Sequence, residues 1–322
     1  MRELQDIIRI TRSHPGPLAL ATLVGVEGSS YRRPGSRLLF DTSGPLRGSL
    51  SGGCLEGDIE ARAMEAIESR QARLVSYDLR GDADLVWGSG SGCEGQLKVL
   101  VEPLHGFPEW MGWIETSWSN RVPLTIQTDL SPERLGRRSN DWRADDPAAT
   151  FSETILPVPE LWIFGAGEDS RPLVHMAKEL GWFVGVLDHR PAFARVERFP
   201  GADAVRSGHP EQLIPELALD ARSAVVLMTH HYGKDLEALR LLLPRSLGYL
   251  GLMGSRKRSA KLLQDLGTEG IFAGAPFHSP IGLDLGANSP ETIALAILAE
   301  AQAVLARGTG VPLRDAPHGP RK

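Results

Sequence analysis

Four short apolar runs, at 161–164, 183–187, 224–229 and 249–253, are separated by amphipathic stretches at 172–180, 210–217 and 234–243. Apolar runs too short for helices read as strands buried on both faces, and their alternation with helices points to a parallel sheet covered on both sides. The sequence therefore predicts a Rossmann-like, doubly wound α/β domain over 159–312, with a short extra strand at 203–205. Ser289 as cap and Pro290 in the first turn start a last helix expected to reach Arg307.

The preceding half has a different rhythm. Leu4, Ile7 and Ile8 mark a first helix ended by Pro15-Gly16-Pro17. A strand at 18–26, a turn at Glu27-Gly28-Ser29-Ser30 and a returning strand at 36–40 follow, then a helix over 55–69 and strands at 72–77 and 96–102. With a tryptophan-bearing helix near 108–118 and a strand at 121–128, this makes an N-terminal mixed α/β domain over 1–130. The polar stretch that follows, closed by Pro157-Val158-Pro159, is expected to be a linker over 131–158, and 313–322 a flexible tail.

A formal net charge of -5 makes nucleic acid a poor first partner. No apolar stretch approaches the roughly 20 residues that span a bilayer, and Met1-Arg2-Glu3-Leu4-Gln5-Asp6 lacks the layout of a secretory signal. A cytoplasmic protein is expected. Cys54 and Cys93 are the only cysteines, so a disulfide scaffold is excluded and two free thiols stand as soft ligands. Two thiols without a third and fourth ligand do not make structural zinc. The sequence holds no nucleophile elbow, zinc-protease helix or Walker loop.

Five motifs carry the candidate chemistry. Gly165-Ala166-Gly167 follows a strand and opens a helix, the setting in which backbone amides approach a phosphate, and Asp188 ends the next strand, where a carboxylate can read a ribose. Ser170 stands in place of the third glycine, and Glu168-Asp169 add two negative charges. Gly254-Ser255-Arg256-Lys257-Arg258 places three cations at a helix start, which a bound anion would compensate. His230 and His231 lie at the carboxyl edge of the predicted sheet. Ser29, Ser30, Arg32 and Arg33 combine hydroxyls with two guanidinium forks suited to phosphate or carboxylate. Finally, Gly52-Gly53-Cys54-Leu55-Glu56 sets a thiol where a glycine turn enters a helix, a position that favours the thiolate, and Cys93 lies in a comparable glycine loop.

Taken together, Gly28-Ser29-Ser30, Arg32-Arg33-Pro34-Gly35, Gly48-Ser49-Leu50-Ser51-Gly52-Gly53-Cys54-Leu55-Glu56-Gly57 and Gly92-Cys93 resemble the N-terminal domain of the XdhC/CoxI family, the xanthine dehydrogenase accessory factors. The second half resembles that family's Rossmann domain through Ile163-Phe164-Gly165-Ala166-Gly167, Val186-Leu187-Asp188-His189-Arg190-Pro191, Met228-Thr229-His230, Gly251-Leu252-Met253-Gly254-Ser255-Arg256-Lys257-Arg258 and Ser279-Pro280-Ile281-Gly282-Leu283-Asp284-Leu285-Gly286. The resemblance implies a non-catalytic maturation factor that binds molybdenum cofactor, protects it during sulfuration and delivers it to a molybdenum hydroxylase of the xanthine or carbon monoxide dehydrogenase type. It further implies a cysteine desulfurase-type sulfur donor and a homodimer. Cys54 and Cys93 would hold the metal end, with Ser29, Ser30, Gly52, Gly53, Glu56 and His230 also in the site. The Arg32-Arg33 hairpin or the Arg256-Lys257-Arg258 turn would neutralise the pterin phosphate. The family's usual histidine after the glycine fingerprint is Glu168 here. The rival reading is an NAD(P)-dependent oxidoreductase, with NAD(P) or another nucleotide on Gly165, Gly167 and Asp188.

Overall fold

The computed structural model describes residues 1–79, 95–141, 147–267 and 276–316. The chain divides into two compact units, Met1–Pro157 and Val158–Lys322.

In the first unit, α1 (Arg2–Ser13) precedes β1 (Leu18–Gly28), β2 (Arg37–Asp41), β3 (Gly44–Gly48), α2 (Glu56–Ser69), β4 (Arg73–Asp78) and β5 (Gly95–Leu104). The five strands form one antiparallel sheet in the order β3-β2-β1-β5-β4. Successive residues of a strand face opposite sides, and β1 uses both. Ala19, Ala21 and Leu23 pack with Ile59, Ala63 and Ala66 of α2. Leu18 and Leu20 face Ile7 and Ile8 of α1 together with Trp110, Met111 and Ile114 of α3 (Glu109–Asn120). Each fully buried Leu or Ile contributes about 1.5–3 kcal/mol, so the central strand is pinned from both sides.

The stretch expected to be a linker is not one. β6 (Leu124–Asp129) pairs with β7 (Arg138–Ser139) and β8 (Thr150–Ile155) in a three-stranded antiparallel sheet within the first unit. Two of its charged residues, Arg138 and Glu153, enter buried ion pairs, while Glu133, Arg134, Arg137, Asn140 and Asp141 stay exposed. Arg138 donates to Glu102 of β5 at 2.7 Å, Arg37 of β2 pairs with Glu153 of β8, and both guanidinium groups lie over the Trp110 ring, at 4.5 and 5.4 Å.

The second unit runs β9 (Glu160–Phe164), α4 (Ser170–Glu179), β10 (Phe183–Asp188), β11 (Ala204–Ser207), α5 (Pro210–Leu213), β12 (Ser223–Leu227), α6 (Tyr232–Leu242), β13 (Tyr249–Leu252), α7 (Arg256–Asp265), β14 (Phe277–His278) and α8 (Pro290–Leu305). All pairings are parallel, in the order β11-β10-β9-β12-β13-β14, the doubly wound order with its switch point between β9 and β12. Leu161 and Ile163 face α4 and α8, whereas Trp162 and Phe164 face α6 and α7. Ser289 caps α8 in a reciprocal box with Thr292.

Candidate functional site

Between β3 and α2 the chain turns through Gly52 (φ 78°) and Gly53 (φ 121°), a backbone region open to glycine. Successive amides of this turn converge, the arrangement that makes an anion nest. Its occupant is Glu56. Oε1 accepts from the amides of Leu50 (3.2 Å), Ser51 (2.9 Å) and Gly52 (3.2 Å) and from the Ser49 hydroxyl (3.0 Å). Oε2 accepts from the amides of Gly53 (2.8 Å) and Leu55 (3.3 Å) and from the Ser51 hydroxyl. Burial by itself raises the carboxyl pKa, but the donors of Ser51, Leu50 and Ser49 more than reverse it and bring Glu56 down to about 2. The Gly52 and Gly53 amides and the Glu56 carboxylate, expected at the cofactor site, are thus engaged with one another within the turn. Cys54 sits among them as a half-buried free thiol packed against the α2 side of the core. Cys93 lies outside the described residues.

The second N-terminal motif meets this turn. A Cβ placed on Gly52 would lie 3.2 Å from Cδ1 of Tyr31, so the tyrosine ring rests directly on the glycine backbone. Ser29 and Arg33, on the same loop, are exposed, and Ser30 is half-buried. The Arg32 guanidinium reaches Glu3 of α1 at 3.4 Å and stands 5.9 Å from the Tyr31 ring centroid. Hairpin and thiol turn, far apart in sequence, are one locality. Tyr31 itself is not among the expected site residues; an aromatic inside a Gly-Ser-Ser-x-Arg-Arg loop is the signal that could have found it.

In the second unit, Gly165 (φ 122°) sits at the switch point, where an added Cβ would be 2.2 Å from the Met228 carbonyl oxygen. The Ala166 amide beside it donates to Asp188 at 2.8 Å rather than toward a ligand. Asp188 is buried and accepts, besides, the Arg190 amide at 2.8 Å and the Arg190 side chain through Nε at 2.9 Å and Nη2 at 2.8 Å. Burial opposes, and these donors outweigh, so its pKa falls below the usual carboxylate value. The residue expected to read a ribose is thereby engaged by its own neighbours. Gly167 accepts from the Ser170 hydroxyl at 2.7 Å. Glu168 pairs with Arg171 and Arg198, at 3.0 and 2.6 Å, so its charge is compensated locally, and Asp169 lies 3.7 Å from His230.

Of the three cations at the start of α7, Arg258 turns inward to the buried Asp235 at 2.6 Å, which also accepts from Thr229. Arg256 and Lys257 are exposed, and Ser255 caps the helix by accepting from the Arg258 amide. Gly254 (φ 151°) makes room for the Arg258 side chain, which an added Cβ would meet at 3.3 Å. His230, with positive φ of 58°, is exposed, while His231 caps α6. The rings of His189, His209 and His231 gather at this edge, with centroids 6.3 and 5.8 Å from His189. That gathering was not foreseen, although each follows a strand of the parallel sheet. Among the described residues no group of three His, Cys, Asp or Glu is placed to hold a metal ion.

Residues 161–301 match the XdhC Rossmann domain, and residues 12–78 match the XdhC and CoxI family. The chain is 34% identical, over 87% of its length and 91% of the relative's, to a probable subunit of xanthine dehydrogenase in Bacillus subtilis (strain 168). It is 23% identical, over 88% and 82%, to the molybdenum cofactor insertion chaperone PaoD of Escherichia coli (strain K12). A crystal structure described as a xanthine dehydrogenase from Bacillus halodurans superimposes with a TM-score of 0.82 at 30% identity, covering 98% of both chains.

Proposed function

This chain belongs to the XdhC and CoxI family, and from that premise we propose that it is a maturation factor that carries molybdenum cofactor as cargo to a molybdenum hydroxylase. The single observation that carries the reading is the Cys54 turn: a thiol whose two neighbours in sequence, Gly53 and Leu55, are both tied to Glu56. Preorganisation of this kind lowers the ordering cost of capturing a ligand. Two relatives, one named for xanthine dehydrogenase and the other as a molybdenum cofactor insertion chaperone, support the same role.

In this reading Cys54 is the soft ligand to the metal end, and Cys93 supplies a second thiol. The exposed Arg33 and the Arg32 fork stand where the pterin phosphate arrives. A cysteine desulfurase-type donor installs the terminal sulfur while the cargo is held, and the working form is a homodimer in the cytoplasm. No helix of the described residues is long and apolar enough to cross a membrane. The test is metal and pterin analysis of protein purified anaerobically from a host that makes the cofactor, with Cys54→Ala and the Cys54→Ala/Cys93→Ala double variant as controls.

A second reading, NAD(P) or another nucleotide at Gly165, is favoured by the strand order and switch point. The commitment of Asp188 to Ala166 and Arg190 counts against it.

A further inference from the structure

Tyr31 is 70% exposed, so most of a large aromatic ring is left open to solvent. The ring edge rests on Gly52, where even a methyl group would approach Cδ1 to 3.2 Å and Cε1 to 3.3 Å. Backbone therefore supports the ring along one edge, the Arg32 guanidinium stands 5.9 Å from its centroid, and most of its surface is left to solvent. An aromatic seated on backbone along one edge, with most of its surface open, offers a stacking face to a planar heteroaromatic ring. Its location limits the candidates. Gly52 and Cys54 are two residues apart, so their Cα atoms are at most about 7 Å apart. One ligand with a thiophilic metal at one end and a planar heterocycle at the other can reach both.

We propose that Tyr31 is a cargo-binding residue that stacks on the heteroaromatic ring system of the pterin while the metal end lies at Cys54. The proposal rests on the cargo reading above and adds to it which end of the cargo meets which motif. Gly52 leaves room for the ring: a Cβ there would approach its edge to 3.2 Å, so the ring would have to shift to accept a side chain.

The test uses the full chain and molybdenum cofactor released anaerobically from a purified molybdenum hydroxylase, with affinity read from the pterin retained at graded protein concentrations. Tyr31→Phe keeps the π face and is expected to bind within twofold of the parent. Tyr31→Leu keeps apolar packing on Gly52 but lacks that face and is expected to bind about tenfold more weakly, with an unchanged melting temperature; Tyr31→Ala repeats the test with a smaller side chain. If the parent binds the cofactor and Tyr31→Leu and Tyr31→Ala both bind it equally well, the platform is overturned and the cargo reading stands. If the parent itself retains no cofactor, the cargo reading falls and takes the platform with it.

Discussion

The Glu56 carboxylate accepts the Gly53 amide at 2.8 Å, folding the start of α2 back over the turn that precedes it. Five amides and two hydroxyls end on that one side chain, which makes an anion nest with its anion built in.

An acid-stability window follows from this nest. The folded pKa of Glu56, about 2, lies below its ordinary value of 4.5, so the stabilisation is complete above about pH 4.5 and is lost as pH falls toward 2. Solvent screening of this half-exposed group leaves it worth on the order of 1–2 kcal/mol. Urea midpoints of parent and Glu56→Gln should differ at pH 7, converge between pH 4.5 and 2, and show no change in the gap between pH 6 and 8.

Breaking one side of a buried ion pair is a larger injury. Glu102→Ala leaves Arg138 charged and enclosed beside Trp110, and should cost about 3–5 kcal/mol in urea unfolding. Replacing both residues with methionine should recover much of that loss. A cost below about 1 kcal/mol for Glu102→Ala would show that residues 131–155 are attached by other means.

Gly165→Ala tests the switch point. With φ of 122° and a Met228 oxygen 2.2 Å from the new Cβ, no rotamer relieves the clash, and the β9 and β12 loops must separate. The second unit should lose at least about 2 kcal/mol, read as an earlier thermal transition.

For Asp188, the hydrogen bonds predict a structural consequence. Asp188→Asn removes the charge that Arg190 grips and should destabilise the second unit by about 1–3 kcal/mol. Any NAD affinity of the parent, measured by titration calorimetry, should change less than the melting temperature does. Abolished NAD binding at an unchanged melting temperature would restore the ribose-reading role.

The doubly wound unit was legible because its strands are buried on both faces and so appear as apolar runs, residues 224–227 of β12 being the plainest. The linker expectation failed for the opposite reason. Arg138 and Glu153 look solvated in sequence, and only the arrangement of β2, β5 and β8 shows each meeting a buried opposite charge. The same limit applied at the site. Sequence pointed to Gly52, Gly53, Cys54 and Glu56 together, but that Glu56 fills the nest depends on how the turn closes, as does the seating of Tyr31 on Gly52. Asp188 occupies the expected place at the end of β10, and its capture by Arg190 two residues later is a side-chain choice that spacing does not encode.

If the Cys54 turn holds molybdenum cofactor, the cofactor should travel with the protein, and molybdenum and pterin content per chain after anaerobic purification from a cofactor-producing host measures this directly. Near-stoichiometric molybdenum and pterin in the parent, with both largely lost in Cys54→Ala at an unchanged melting temperature, is the predicted result. Equal content in parent and Cys54→Ala would contradict the site, and absence of both from the parent while free cofactor is abundant would contradict the function.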